Sequence, residues 1–223
     1  MAKTLLITGA SSGIGAATAR AAAEAGWNVA LLARSKDKLD ALAAEIGDGA
    51  LAIEGDVTDY ASMEAAVAET VAKFGSLDAA YANAGTGVDQ PGTEGGDPEE
   101  WRDLIDINVM GVLHTARAAL PALRKTEGHM VLTGSAAGRR HIKGSIYGAT
   151  KWFVHGLGGN LAEEMREWGG RCTVISPGMV DTPFFDEAKP GKLTAEDVAE
   201  AVVYALSASK TAAVREVHLM PND

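Results

Sequence analysis

Short apolar runs alternate with amphipathic stretches along nearly the whole chain. Leu5 to Ile7 is uniformly apolar, as a strand covered on both faces must be. An alanine-rich helical pattern follows it and ends near Gly26. Val29 to Ala33 repeats the strand pattern, and Lys36 to Ile46 is helical, with Leu39, Leu42 and Ile46 on one face. Ala50 to Glu54, Leu77 to Ala82, Gly128 to Thr133, Arg171 to Ile175 and Val214 to Met220 predict further strands. Tyr60 to Phe74, Glu99 to Leu123 and Ile146 to Trp168 predict helices between them. The second of these is interrupted at Gly111 and slowed near Pro121. Thr194 caps a last helix to about Ser207, with Asp197 completing a capping box. Thr86 to Pro98, rich in Gly and Pro, is the longest predicted loop.

Seven strands alternating with six helices imply parallel pairing through right-handed crossovers, with helices on both faces of one sheet. No linker, internal repeat or low-complexity segment divides residues 1–223. The expectation is a single doubly wound α/β domain with a seven-stranded parallel sheet. Such sheets bind ligands at the carboxyl ends of their strands, where the strand order reverses.

The unusual short motifs of this chain gather at those ends. After the first strand comes Thr8-Gly9-Ala10-Ser11-Ser12-Gly13-Ile14-Gly15. Strand, glycine turn and helix together present backbone N–H groups and a helix N-terminus to a phosphate. Three glycines serve a tight turn, close approach of a diphosphate, and close packing of helix on strand. Asp56-Val57, Asn83-Ala84-Gly85, Gly134-Ser135 and Pro177-Gly178 end the third to sixth strands. About 20 residues past the glycine turn, an acid would hold the ribose hydroxyls of NAD. Arg34 stands there instead, suited to a 2′-phosphate. NADP(H) is therefore expected in preference to NAD(H).

Tyr147 and Lys151 are four residues apart on a helix and share a face. A nearby cation, joined by a positive nicotinamide ring, favours the phenolate of a tyrosine that otherwise titrates near pH 10. Such a phenol can give a proton to a carbonyl receiving hydride, or take one from an alcohol losing it. Ser135, twelve residues earlier, can hold the substrate oxygen beside it. Asn108, a mediocre helix former inside a helix, calls for a buried partner, such as a water leading to Lys151.

These motifs together resemble the short-chain dehydrogenase/reductase family from Thr8 to at least Thr182. The resemblance implies a Rossmann domain and a catalytic tetrad of Asn108, Ser135, Tyr147 and Lys151. It implies cofactor contacts at Gly9, Ser11, Ser12, Gly13, Ile14, Gly15, Arg34, Asp56, Val57, Asn83, Ala84 and Gly85. Tyr147 and Lys151 would also touch the cofactor, as would Pro177, Gly178, Val180 and Thr182. Ala82 and Gly134 replace an asparagine and a serine common in the family, and the interval from Ser135 to Tyr147 is about one residue short. The segment from about 183 to 193 is short for a family lid, which suits a small substrate. The Glu216 to Pro221 ending is similar to a branch that includes reductases of small hydroxy acids.

Val88, Ser135, Ala136, His141, Ile142, Met179, Phe184 and Phe185 are the expected substrate pocket. Arg139, Arg140, His141 and Lys143 form a basic loop; it either meets a substrate carboxylate or is merely solvated. On the Tyr147 helix, Trp152, Phe153, Leu157 and Leu161 make more than the sheet-facing side apolar. That predicts packing against another subunit, in a homotetramer or homodimer.

Net charge of −10 argues against nucleic acid and anionic membranes as partners. A small carbonyl or alcohol is the expected partner. No apolar stretch approaches the roughly 18–20 residues of a membrane span, and the N-terminus is spent on strand and turn rather than on targeting. The single cysteine, Cys172, permits no internal disulfide, and with it the chain is expected to be cytoplasmic. His114, His129, His155 and His218 show no metal-ligand grouping, so no catalytic metal is expected. Two readings remain: an NADP(H)-dependent carbonyl reductase or alcohol dehydrogenase, and a catalytically silent NADP(H)-binding sensor or scaffold. A sugar-nucleotide epimerase would need a larger C-terminal substrate region.

Overall fold

The computed structural model describes residues 2–222. Its strands are β1 (Thr4–Thr8), β2 (Asn28–Ala33), β3 (Ala50–Glu54), β4 (Ala79–Ala82), β5 (His129–Thr133), β6 (Arg171–Pro177) and β7 (Glu216–Leu219). They form one sheet in the order β3-β2-β1-β4-β5-β6-β7, with every adjacent pair parallel. Order reverses between β1 and β4, and there the two halves of the sheet diverge.

Side-chain alternation along the strands builds two cores. Leu5, Ile7, Leu31, Tyr81 and Ile175 point to one face. That face is covered by α1 (Gly13–Glu24), α2 (Lys36–Ile46) and α7 (Ala195–Ser207). Leu6, Leu32, Ala80, Met130, Leu132 and Val174 point to the other. Helices α3 (Tyr60–Phe74), α5 (Gly111–Thr126) and α6 (Ile146–Arg166) cover it. Cys172 lies in this second core, and burial pushes its thiol up to about 12, which leaves it protonated and unreactive.

The observed elements depart from the expected pattern in places. The predicted helix from Glu99 to Leu123 is α4 (Pro98–Ile105), a π turn over Asp106–Met110, and then α5. The break therefore precedes Gly111, and among the described residues seven α-helices stand where six were expected. Helix α5 continues through Pro121 to Thr126, with that proline on its exposed side. The last strand is shorter than predicted, and the sixth runs on to Pro177. The Thr194–Asp197 capping box is present, with Asp197 N donating to Thr194 Oγ1 at 3.1 Å and Thr194 N to Asp197 Oδ2 at 2.7 Å.

Candidate active site

A cleft of about 750 Å³ opens over the β1–β4 reversal and crosses the carboxyl ends of the strands. Its floor starts with the glycine turn. Gly9 takes φ +66°, where a β-carbon is disfavoured. Gly15 does not line the cleft: a β-carbon there would sit 2.2 Å from the Gly9 carbonyl oxygen. Its contribution is to let α1 lie against the turn. Gly9, Ser11, Ser12, Gly13 and Ile14 do line the cleft. Ser12 occupies the α1 N-cap without a side-chain capping bond, so its hydroxyl and the helix N–H groups beside it can serve an anion.

The strand ends are laced together by Thr8. Its Oγ1 accepts from Asn83 N at 3.0 Å and Ala84 N at 3.1 Å. Asn83 Nδ2 donates to the Thr8 carbonyl at 3.0 Å, and Asn83 Oδ1 accepts from Thr133 Oγ1 at 3.1 Å. The Asn83 carboxamide is thus turned to the protein, and what it shapes is the cleft floor. Ala84, Gly85, Asp56, Val57, Arg34, Pro177, Gly178, Val180 and Thr182 all line the cleft.

At the β5 end, Ser135, Tyr147 and Lys151 converge. Ser135 is buried and accepts from Ala137 N at 3.1 Å. Burial pushes the Tyr147 phenol up to about 12, and the neighbouring Ser135 hydroxyl acts in the opposite direction. Lys151 is buried, and burial brings its amine down to about 8. Its Nζ donates to the Thr133 carbonyl at 2.9 Å and stands 5.6 Å from the Tyr147 ring centre. In the protein alone desolvation dominates, so the phenol stays protonated.

Asn108 is fully buried in the π turn and does not line the cleft. Its Oδ1 accepts from Thr86 N at 2.8 Å, and its Nδ2 donates to Thr86 O at 2.9 Å and Thr150 Oγ1 at 3.3 Å. It therefore clamps the loop after β4 onto α6. A β-carbon on Gly85 would stand 3.3 Å from Asn108 Oδ1 and 3.8 Å from Lys151 Nζ. The missing side chain leaves a gap between the two.

Ser135 is also held from behind. His155 Nε2 lies 3.2 Å from the Ser135 carbonyl oxygen and 3.3 Å from Ser176 Oγ. Its Nδ1 faces Glu216, which is ion-paired to Arg139. A β-carbon at Gly134 would meet Val174 at 2.6 Å and His155 at 3.0 Å, which accounts for glycine where serine is common. None of these contacts was legible in the sequence, because β7 is far from Ser135 along the chain.

The profile of the family described as short chain dehydrogenase matches residues 3–193. The chain belongs to that family. An uncharacterized oxidoreductase of Staphylococcus epidermidis is 35% identical over 226 residues, covering 98% of this chain and 97% of the relative. One from Staphylococcus saprophyticus is 38% identical over 228 residues, with the same coverage. An alcohol dehydrogenase of the archaeon Thermococcus sibiricus, complexed with 5-hydroxy-NADP, superimposes with TM-score 0.91 at 33% identity, over 100% of this chain and 97% of that one. A serine dehydrogenase in its closed form with NADP+ gives 0.90 at 29%, over 98% and 94%. The 3-ketoacyl-(acyl-carrier-protein) reductase of Brucella melitensis, complexed with NADH, gives 0.89 at 30%, over 97% and 96%. The protein is thus an oxidoreductase of the short-chain dehydrogenase family with a Rossmann fold.

In this short-chain dehydrogenase the far end of the cleft is apolar. Ala136, Ile142, Met179, Phe184 and Phe185 line it, with Met220 and Pro221 from beyond β7. Phe184 packs 5.8 Å from the Tyr147 ring and 5.2 Å from Phe185. Two predicted pocket residues are corrected. His141 is exposed and stacks on Trp152 at 5.5 Å, outside the cleft. Val88 also lies off the wall; its neighbour Gly87 is what faces Phe184. The short 183–193 segment is pinned at its base, with Leu193 N donating to Met179 O and Asp181 N to Leu193 O. Among the described residues no group of histidine, cysteine or acidic side chains could hold a metal, and no helix is long and apolar enough to cross a membrane.

Proposed function

We propose that the protein is an NADP(H)-dependent reductase or dehydrogenase that interconverts a carbonyl and a secondary alcohol. The convergence of Ser135, Tyr147 and Lys151 on the wall of a cleft whose other end is a glycine turn and Arg34 carries this reading. A bound nicotinamide supplies or takes the hydride at the substrate carbon. Ser135 holds the substrate oxygen, and Tyr147 gives that oxygen its proton in reduction and takes it back in oxidation. A phenol held near 12 carries its proton at neutral pH, and giving it up depends on stabilisation of the phenolate that is left. The buried Lys151 ammonium stabilises the phenolate left behind. Asn108 positions the loop and helix around Lys151 rather than touching substrate.

The residues at the nucleotide end suit a phosphorylated dinucleotide. Arg34 lines the cleft at the end of β2, where an acid would be needed for NAD. It has no ion pair among the described residues. Two of the similar structures named above carry an NADP form and one carries NADH, in keeping with NADP(H) as the favoured cofactor here. Arg34→Ala is expected to raise the KM for NADPH about tenfold or more, as loss of a charged hydrogen bond implies, and to leave that for NADH unchanged. Equal effects on both would contradict the assignment.

NADPH oxidation by the purified protein with a panel of ketones, aldehydes and oxo acids tests the reading. Turnover of at least one supports it. Tight NADPH binding with turnover of none would favour a silent sensor or scaffold. The proposal places the reaction in the cytoplasm.

Association of copies is part of the same proposal, in modified form. Phe153 and Leu157 pack against the chain's own core and Leu161 is buried there, so the free apolar surface of α6 is narrower than its sequence implies. What remains is Trp152, 44% exposed, beside Ala149, Gly156 and Gly159, all exposed. Both glycines have open space above them. That face suits a second copy packed closely, in a homodimer or homotetramer. Sedimentation equilibrium is expected to show an oligomer, and a monomer would refute it.

A further inference from the structure

The loop between Ser135 and Tyr147 carries four basic side chains, and the structure sorts them. Arg139 turns away from the cleft to Glu216. His141 is stacked on Trp152. Lys143 is exposed and takes no part in the cleft wall. Arg140 alone of the four lines the cleft, and among the described residues it has no ion pair or hydrogen bond.

Its surroundings give that charge a purpose. Leaving Lys192 aside, the charged side chains along the cleft are Arg34, Arg140 and Lys151 against one acid, Asp56. A protein of net charge −10 thus presents a locally positive cleft, which draws in anions. Arg34 stands at the nucleotide end, and Lys151 lies beneath Tyr147. Asp56 is at the end of β3, and its Oδ1 accepts from Thr58 N and Thr58 Oγ1 at 2.9 Å each. Its carboxylate makes no ion pair with Arg140. The cleft-lining residues beside Arg140 along the chain, Ala136, Ala137 and Ile142, are apolar.

We propose that Arg140 selects substrate, and that the substrates are short hydroxy acids and oxo acids whose carboxylate it grips. The planar fork of a guanidinium matches a carboxylate through two parallel hydrogen bonds. Only a 3-10 turn at Ala136–Gly138 and one further residue separate Ser135 from Arg140. At a rise of roughly 2 Å per residue the two backbone positions stand about 10 Å apart or less, and both side chains reach the same cleft, which suits a substrate with a short chain between its reacting oxygen and its carboxylate. This inference rests on the reading of Ser135 and Tyr147 given above.

The test compares a short oxo acid with its methyl ester, in the wild-type protein, Arg140→Gln and Arg140→Lys, at saturating NADPH. Wild type is expected to prefer the acid. Arg140→Gln should raise the acid's KM about tenfold or more, hold kcat within about twofold, and leave the ester's constants unchanged. Arg140→Lys should recover part of the loss. Unchanged NADPH binding in both variants shows that they fold. An equal response of acid and ester, or a wild type that reduces uncharged ketones and rejects acids, would overturn the carboxylate assignment and leave the reductase reading intact. A wild type that turns over no carbonyl, charged or uncharged, would overturn both.

Discussion

Tyr147→Phe is expected to lower kcat by about a hundred- to ten-thousand-fold, the range over which a positioned proton donor acts, while NADPH still binds. The substitution removes one oxygen and keeps the ring that packs 5.8 Å from Phe184, so the aromatic wall survives. Ser135 loses its partner phenol but keeps its bond from Ala137 N. Nucleotide affinity, read by fluorescence titration, separates the two effects. Loss of turnover with binding kept identifies the phenol as the proton donor. A variant as active as wild type would remove Tyr147 from the reaction.

Lys151→Met is expected to be inactive and yet more stable. Burial holds the Lys151 amine near 8 in the folded chain against an ordinary 10.5. Below about pH 8 the amine is charged whether the chain is folded or not, and the fold bears the full cost of burying that charge. Between 8 and 10.5 only the unfolded chain holds the proton, so wild-type stability gains steadily with pH. Above 10.5 both states are neutral and the cost has gone. Replacement by methionine removes that cost and forfeits the hydrogen bond to the Thr133 carbonyl. The variant should exceed wild type by about 2–3 kcal/mol at pH 7, without nucleotide. The margin should close as pH rises through that window. The raised Tyr147 phenol is common to both proteins and largely cancels. Denaturant unfolding at a series of pH values measures the margin. A variant less stable than wild type at pH 7 would mean that the charge is well compensated in place. Stability surrendered at a buried cation is what a site tuned for reaction, rather than for folding, looks like.

Much of this arrangement could be read from residues alone, where the physics is local. Uniform apolar runs become buried strands, and glycines with positive φ announce the turn over which α1 begins. Tyr147 and Lys151 share a helix face by spacing. Where the outcome depended on distant partners, the residues were silent. The π turn that buries Asn108 is supported by Thr86 and Thr150, neither adjacent in sequence. His141 left the cleft because Trp152 offered a flat surface to stack on, and Arg139 left it for Glu216, 77 residues away. Asn83 turned inward because Thr8 and Thr133 together satisfy its carboxamide. The phenol of Tyr147 is harder to ionise in the protein alone because burial removes it from water.

The central claim is that the hydroxyl groups of Ser135 and Tyr147 share one substrate oxygen in front of a nicotinamide. A crystal structure with oxidised nucleotide and an alcohol tests it most directly. The predicted result is a single alcohol oxygen within hydrogen-bond reach of both hydroxyls, with the nicotinamide ring beside it. A Tyr147 hydroxyl turned from the ring, with no space for an alcohol between them, would contradict it.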